Sequence, residues 1–331
     1  MKTSFLKYLA LGALGLAGCL PAAGQVPASQ PTVVLFVGNS FFHGKFQPVL
    51  NYNQAGVKDE NFGLAKDDPR FEFHEDEPGP WSGIPGIFQK LTEEAGLRYE
   101  VHLEAISGKT LKYHYEHALP IIQQAKWQVV VLQESSTGAL PTRRTGHPDA
   151  FTDYASKLAQ TVRTANPAAR LYLYQTWPRA DLTYPAAAPY AGLPLDSMTH
   201  DLHAAYYGLL RQDARFSGVA PVGDAWLRAV QSGVAMPNPY QPEAGKIDLW
   251  GADHFHPSQW GAYLNACVLL AEITGTDPRT LGAREQAAAT LGIAPAQAEA
   301  LQRIAYEQVR AARPTAFAKP AKGRKVKIKM K

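Results

Sequence analysis

The hydrophobic positions of this 331-residue chain fall into short continuous runs, separated by longer stretches in which apolar residues recur with helical spacing. Residues 32–37 (TVVLFV) and 127–132 (WQVVVL) are almost entirely apolar and rich in β-branched side chains. Such runs are typical of strands that are buried on both faces of a parallel sheet. Three further strands are predicted at 99–105, 170–174 and 219–222, so the pattern indicates five strands.

Helical spacing occupies much of the chain between and after these runs. The predicted helices are 84–95, 110–125, 150–165, 196–215, 258–274, 279–291 and 294–312. Residues 43–83 are rich in Pro, Gly and acidic side chains and lack a period, which predicts a long irregular excursion. Strands alternating with helices predict an α/β fold, a three-layer α/β/α sandwich with a mainly parallel, flavodoxin-like, five-stranded sheet. We expect one domain over residues 30–312.

The first 24 residues have the pattern of an export signal, with two lysines followed by an apolar stretch too short to span a bilayer. Residues 16–19 (LAGC) resemble a bacterial lipobox, which implies a lipidated Cys19 and membrane attachment in the periplasm or at the outer membrane. The alternative is cleavage after residue 23 or 24, which would leave a soluble secreted protein. In either case Cys267 is left alone, so no disulfide is predicted in the mature chain.

The formal net charge of +4 is set by the two ends of the chain. The last 13 residues hold seven Lys or Arg and no acid, and the leader holds two more, so the body carries 24 bases against 29 acids. This balance gives no indication of a nucleic-acid-binding surface. Residues 313–331 are predicted to be a basic, disordered tail. Such a tail is suited to anionic lipid or polysaccharide, or it is simply solubilising.

Polar residues follow three of the predicted strands, where ligands bind in open parallel sheets. Ser40 comes two residues after Gly38 at the end of the first strand, Gly108 follows the second, and Gln133 directly follows the third. A serine in this position is presented to the crevice, and a glycine N–H or a carboxamide can donate to a developing oxyanion. Gly, Asn and Ser are also ordinary turn residues, so each site read alone is equally a simple loop.

The C-terminal part of the body holds Asp253 three residues before His256, ahead of a proline and a predicted helix. A carboxylate at this spacing can fix the tautomer of the imidazole, which leaves the other ring nitrogen to accept a proton from a serine. The competing interpretation makes His254 and His256 metal ligands, but no HExxH motif or cysteine cluster supports it.

The order of these residues resembles the SGNH (GDSL-like) hydrolases, whose pattern is Gly-x-Ser, then Gly, then Asn, then Asp-x-x-His. The resemblance covers residues 32 to about 274, and VGNSFF, VVVLQESS and DHFHPSQWGAYL look closest to a poorly characterised, exported bacterial branch. It implies that Ser40 is the nucleophile, His256 the base and Asp253 the orienting acid. It also implies an oxyanion hole formed by Ser40, Gly108 and Gln133, with no metal or organic cofactor. The sequence departs from the family at Gln133, which replaces the usual Asn.

The resemblance implies a serine esterase that cleaves short acyl esters, acetyl above all, from a small-molecule or glycan substrate. An acyltransferase using the same triad and a non-catalytic glycan-binding envelope protein are the alternatives. The aromatic residues considered as stacking surfaces are Trp81, Trp177, Tyr184, Tyr190, Trp250 and Trp260. The arginines considered for an anionic sugar are Arg143, Arg144 and Arg179.

Overall fold

The computed structural model describes residues 30–75 and 78–313. The predicted leader with Cys19, and the basic tail beyond residue 313, lie outside the described residues, so the expectations about export and lipidation stay predictions. Among the residues described, no helix is both long enough and apolar enough to cross a membrane.

A single parallel sheet runs through the described chain in the order β2-β3-β1-β4-β5-β6. The strands are β1 (Thr32–Gly38), β2 (Val57–Asp59), β3 (Tyr99–Ala105), β4 (Val129–Leu132), β5 (Arg170–Tyr174) and β6 (Gly218–Ala220). The predicted fold class is confirmed, with one strand more than the five expected. The additional strand, β2, is a three-residue edge strand in the aperiodic segment, too short to produce a pattern of its own.

Helices cover both faces of the sheet, and the strand sequences show why. In β1, Val34 and Phe36 belong to one hydrophobic core, whereas Leu35 and Val37 belong to the core on the opposite face. Because successive side chains of a strand point to opposite faces, a strand covered on both sides must be apolar at every position. The helices are α1 (Ser40–His43), α2 (Gly83–Glu94), α3 (Leu111–His117), α4 (Leu119–Ile122), α5 (Pro148–Ala165), α6 (Asp196–Gln212), α7 (Val222–Gln231), α8 (Gln259–Leu269), α9 (Gln286–Thr290) and α10 (Pro295–Ala312).

Three helical predictions need correction. The helix expected over 110–125 is divided into α3 and α4 around Ala118, and Pro120, which has no N–H to donate, falls in the first turn of α4. The helix expected over 279–291 is a 3₁₀ turn (Pro278–Thr280) followed by the short α9. Helix α7 was not expected, because Pro221 ends β6 and starts the helix within an apolar run that looks like one strand.

The register of the sheet determines where the predicted site residues meet. Gly38 at the end of β1 pairs with Ala105 of β3, and Val37 pairs with Leu132 of β4. The segments that follow these three strands therefore lie side by side at the carboxyl ends of the strands.

Candidate active site

Ser40 is the first residue of α1 and is held in a tight turn directly after β1. The preceding Asn39 caps this helix, since its side-chain oxygen accepts the N–H of Phe41 at 3.0 Å. The side-chain Nδ2 of Asn39 donates to the backbone carbonyl of Lys109 at 2.8 Å, which joins this turn to the turn after β3. The side chain of Ser40 is nearly buried, with the residue 8% exposed. The turn therefore fixes the hydroxyl rather than leaving it on a free loop.

Ser40, His256 and Asp253 form a continuous hydrogen-bonded chain. The Nε2 atom of His256 lies 2.8 Å from the Ser40 Oγ, and its Nδ1 lies 2.6 Å from Oδ2 of Asp253. A carboxylate can only accept, so Nδ1 carries the proton and Nε2 is left to accept the hydroxyl proton of Ser40. The structure thus brings together three residues that span 216 positions of sequence.

Asp253 is held as a carboxylate by the segment that it belongs to. Its Oδ1 accepts the backbone N–H groups of Phe255 at 3.1 Å and of His256 at 2.9 Å. Burial acts to raise the pKa of Asp253, but the hydrogen bonds from the side chain and backbone of His256 outweigh it and hold the pKa below its usual value. The acid is therefore ionised at neutral pH and can orient the imidazole ring.

Two backbone N–H groups near Ser40 have no partner among the described residues: those of Ser40 and Gly108. The N–H of Ser40 opens α1, where no preceding turn can accept it. Gly108 has a φ of +71°, and a Cβ built there would meet nothing within 4 Å. The glycine is therefore needed for its left-handed backbone and not for space. Both N–H groups are therefore without an acceptor in the part of the chain that the structure describes.

Gln133, which the sequence predicts as a third oxyanion donor, makes its hydrogen bonds to backbone groups. Its side chain is fully buried, its Oε1 accepts the N–H of Asn39 at 3.0 Å, and its Nε2 donates to the carbonyl of Glu134. A Cβ at Gly38 would lie 2.4 Å from the Gln133 Oε1, so Gly38 makes room for this amide. Gln133 therefore braces the turn before Ser40, because its carboxamide is engaged with backbone groups.

We expect Gln133→Ala to lower kcat by less than about tenfold, whereas loss of an oxyanion donor costs about 100-fold or more. The free energy of unfolding should fall by about 1–3 kcal/mol, because the buried N–H of Asn39 loses its acceptor. Gln175→Ala is the matched control, since Gln175 is also fully buried and directly follows a strand, with its amide 2.8 Å from Asp224. Steady-state kinetics decide the matter: a 100-fold loss of kcat in Gln133→Ala alone would make Gln133 an oxyanion donor after all.

A buried indole supports both the serine and the histidine. Trp177 stacks on Phe41, the neighbour of Ser40, with ring centroids 4.3 Å apart and an interplanar angle of 16°. Its Nε1–H donates to the carbonyl of Phe255, the neighbour of His256, at 2.9 Å. Trp177 is 0% exposed, so it is a packing residue and not the stacking surface considered from the sequence. One side chain thus fixes the distance between the two segments.

A second serine–histidine contact lies beside Gly108, and the sequence did not reveal it. The His43 Nδ1 is 2.7 Å from the carbonyl of Gly44, and its Nε2 is 3.2 Å from the hydroxyl of Ser107. Glu72 accepts the Ser107 N–H at 2.7 Å, which ties the Gly108 turn to the excursion after β2. Burial lowers the pKa of His43 to about 4, although the nearby Glu72 carboxylate acts to raise it. His43 is therefore neutral at neutral pH.

The other candidate residues already make contacts within the protein. Both ring nitrogens of His256 are occupied by Ser40 and Asp253, and the described residues contain no group of three His, Cys, Asp or Glu that could hold a metal. The three arginines already have partners: Arg143 pairs with Asp201, Arg144 donates to the carbonyl of Pro189, and Arg179 pairs with Asp181. The charges of Arg143 and Arg179 are thus paired within the protein.

Comparison with known proteins adds the fold. No protein-family model matches the sequence, and no curated protein shows a significant match. A DUF4886 family protein of known structure from Bacteroides uniformis has a TM-score of 0.55 at 16% identity, covering 85% of this chain and 95% of that chain. A putative GDSL-like lipase from Parabacteroides merdae has a TM-score of 0.45 at 17% identity, covering 74% and 96%. A lipase/acylhydrolase from Enterococcus faecalis has a TM-score of 0.45 at 13% identity, also covering 74% and 96%. The similarity to the Bacteroides uniformis protein extends over most of both chains, and the chain has the three-layer fold implied by its resemblance to the SGNH (GDSL-like) hydrolases.

Proposed function

We propose that this protein is a serine esterase of the SGNH type that hydrolyses short-chain acyl esters, with acetyl as the preferred acyl group. The observation that carries the proposal is the chain of contacts from the Ser40 hydroxyl through His256 to Asp253, with distances of 2.8 and 2.6 Å. Nucleophile, base and orienting acid at these distances are the arrangement required for acyl transfer through a covalent intermediate.

The reaction follows from the proton positions. His256 takes the Ser40 proton at Nε2 as the Ser40 oxygen attacks the ester carbonyl, and Asp253 stabilises the imidazolium that forms. The imidazolium then gives this proton to the alcohol oxygen as the carbonyl–alcohol bond breaks, which leaves an acyl group on Ser40. Water, deprotonated by His256, releases the acid and restores the serine.

The negative charge on the carbonyl oxygen would be held by the N–H groups of Ser40 and Gly108. Each such donor is worth about 3 kcal/mol of the activation barrier. Their support is that both lack other partners in the described chain, and that Gly108 adopts a positive φ in the turn after β3. The Oε1 of Gln133 accepts the backbone N–H of Asn39 and one Nε2–H donates to the carbonyl of Glu134, so in this proposal Gln133 chiefly supports the turn and the two backbone donors hold most of the charge.

Packing around the serine supports a small acyl group. Ser40 itself is 8% exposed, and the rings of its helix and of the residue stacked on that helix are nearly buried too: Phe41 is 3%, His43 is 3% and Trp81 is 5% exposed. The rings of His43 and Trp81 stack with their centroids 4.7 Å apart, so each restricts the movement of the other. We infer that so densely packed a surrounding favours acetyl over long acyl chains, and the expected alcohol is a carbohydrate hydroxyl.

The proposal is tested with aryl esters of increasing acyl length and with acetylated oligosaccharides, using the purified full chain. We expect kcat/KM to fall at least about tenfold from acetate to octanoate, because each added methylene must fit against packed rings. An aryl acetate turned over at the rate of the buffer alone would refute the esterase. Release of acetylated sugar instead of free acetate, when an unmodified sugar is added, would make the enzyme an acyltransferase.

A further inference from the structure

One exposed aromatic ring stands beside the segment that carries the acid and the base. Tyr240 is 43% exposed, and its ring centroid lies 4.1 Å from that of His254. His254 directly follows Asp253 and precedes His256 by two residues, so its Cα lies within about 7 Å of that of His256. Tyr240 therefore packs on the segment that carries Asp253 and His256, with part of its ring open to solvent.

His254 joins this ring to the loop after β5. It has a φ of +61°, a left-handed conformation that is uncommon outside glycine and that concentrates at functional sites. Its carbonyl accepts the N–H groups of Ala180 at 3.1 Å and Asp181 at 3.4 Å. The hydroxyl of Tyr184 also donates to the carbonyl of Pro237, which anchors the loop that bears Tyr240. These contacts hold the ring of Tyr240 in a fixed position on the protein surface.

A paired set of polar groups lies on the loop after β5, the loop whose N–H groups donate to the carbonyl of His254. Arg179 donates to Asp181 through Nε at 3.0 Å and through Nη2 at 2.5 Å, and its Nη1 donates to the hydroxyl of Ser136 at 2.9 Å. The side chains of Arg179 and Asp181 are 18% and 26% exposed, so solvent reaches both. Burial and then the carboxylate of Asp181 raise the pKa of the Tyr240 hydroxyl. The surface therefore offers hydrogen-bonding groups with almost no net charge.

We propose that Tyr240, His254 and Asp181 form a subsite for a neutral sugar ring of the substrate, a proposal that rests on the esterase function above. A pyranose presents an apolar C–H face that packs on an aromatic ring, and hydroxyls at its edge that bond to a carboxylate or an imidazole. A charged sugar would gain little electrostatic attraction here, because the charges of Arg179 and Asp181 already neutralise each other. An acyl chain would cover the Arg179–Asp181 pair without forming hydrogen bonds to it, and the loss of its water contacts costs free energy.

Binding is measured by calorimetry with the full chain carrying Ser40→Ala, titrated with xylohexaose, cellohexaose and mannohexaose. We expect at least one of these neutral oligosaccharides to bind, Tyr240→Ala to weaken that binding about tenfold or more, and Tyr240→Phe to retain it within about threefold. Phe62→Ala is the matched control and should leave the Kd unchanged, because Phe62 is a 59% exposed ring that follows β2 at the opposite edge of the sheet.

Kinetics give a second measurement in the otherwise unaltered protein. In Tyr240→Ala, the ratio of KM for an acetylated oligosaccharide to KM for an aryl acetate should rise about tenfold, because uniform sugar binding is lost. The subsite is refuted if none of the three oligosaccharides binds, or if Tyr240→Ala and Phe62→Ala bind them equally. Sugar binding that depends on Tyr240, in a protein that cleaves no ester, would uphold the subsite and overturn the esterase.

Discussion

Replacement of Ser40 with alanine is expected to lower kcat for an aryl acetate by about 10⁴-fold or more. The hydroxyl that would form the acyl-enzyme is lost, and neither His256 nor Asp253 can supply another nucleophile. The same variant should no longer react covalently with a fluorophosphonate, which intact-mass measurement reads directly. Its fold should persist, because removal of one hydroxyl leaves the packing of Phe41 on Trp177 in place.

Ser107→Ala is the matched control, because Ser107 is a second serine that lies against a histidine, 3.2 Å from the Nε2 of His43. Burial lowers the pKa of His43 to about 4, which makes it a weak base for activating a serine at neutral pH. Fluorophosphonate should therefore still label Ser107→Ala. Labelling that persists in Ser40→Ala and disappears in Ser107→Ala would show that Ser107, and not Ser40, is the nucleophile.

Asp253→Asn is expected to lower kcat by about 10³- to 10⁴-fold with a small effect on KM. The amide oxygen can still accept the backbone N–H groups of Phe255 and His256, so the loop should keep its shape. The amide nitrogen would then face the His256 Nδ1 as a donor, which moves the proton to Nε2 and removes the acceptor for Ser40. The variant tests the tautomer rather than the fold.

The control for this variant is Asp248→Asn, since Asp248 accepts the N–H of Trp250 at 2.9 Å in the same segment without contacting His256. It should keep kcat within a few-fold of the original chain. Acid unfolding gives a further check, because the pKa of Asp253 is lowered and its ionised form stabilises the fold above its ordinary pKa of about 3.9. That contribution should be lost as the pH falls through the lowered pKa, and Asp253→Asn should not show it. Equal losses of kcat in Asp253→Asn and Asp248→Asn would remove Asp253 from the mechanism.

Local pattern was enough to find most of the fold. The runs at 32–37 and 127–132 are apolar at every core-facing position because both faces of their strands pack against helices. The requirement for burial is therefore visible in the sequence itself. The hydrophobic pattern did not predict the element boundaries where a single apolar or helical stretch of sequence forms two secondary-structure elements. The apolar residues around Pro221 end β6 and begin α7, and the helical spacing of 110–125 continues across the break between α3 and α4.

The sequence by itself determined which residues could do the chemistry. Ser40 follows a strand, Asp253 and His256 keep a local spacing of three, and parallel strands bring such ends to one edge of the sheet. Only the tertiary structure decided what each side chain faces. Gln133 lies 94 positions from the Asn39 backbone that it binds, and Trp177 lies 78 positions from the carbonyl of Phe255. No local period records the direction of a side chain towards so distant a partner, because packing between elements sets that direction.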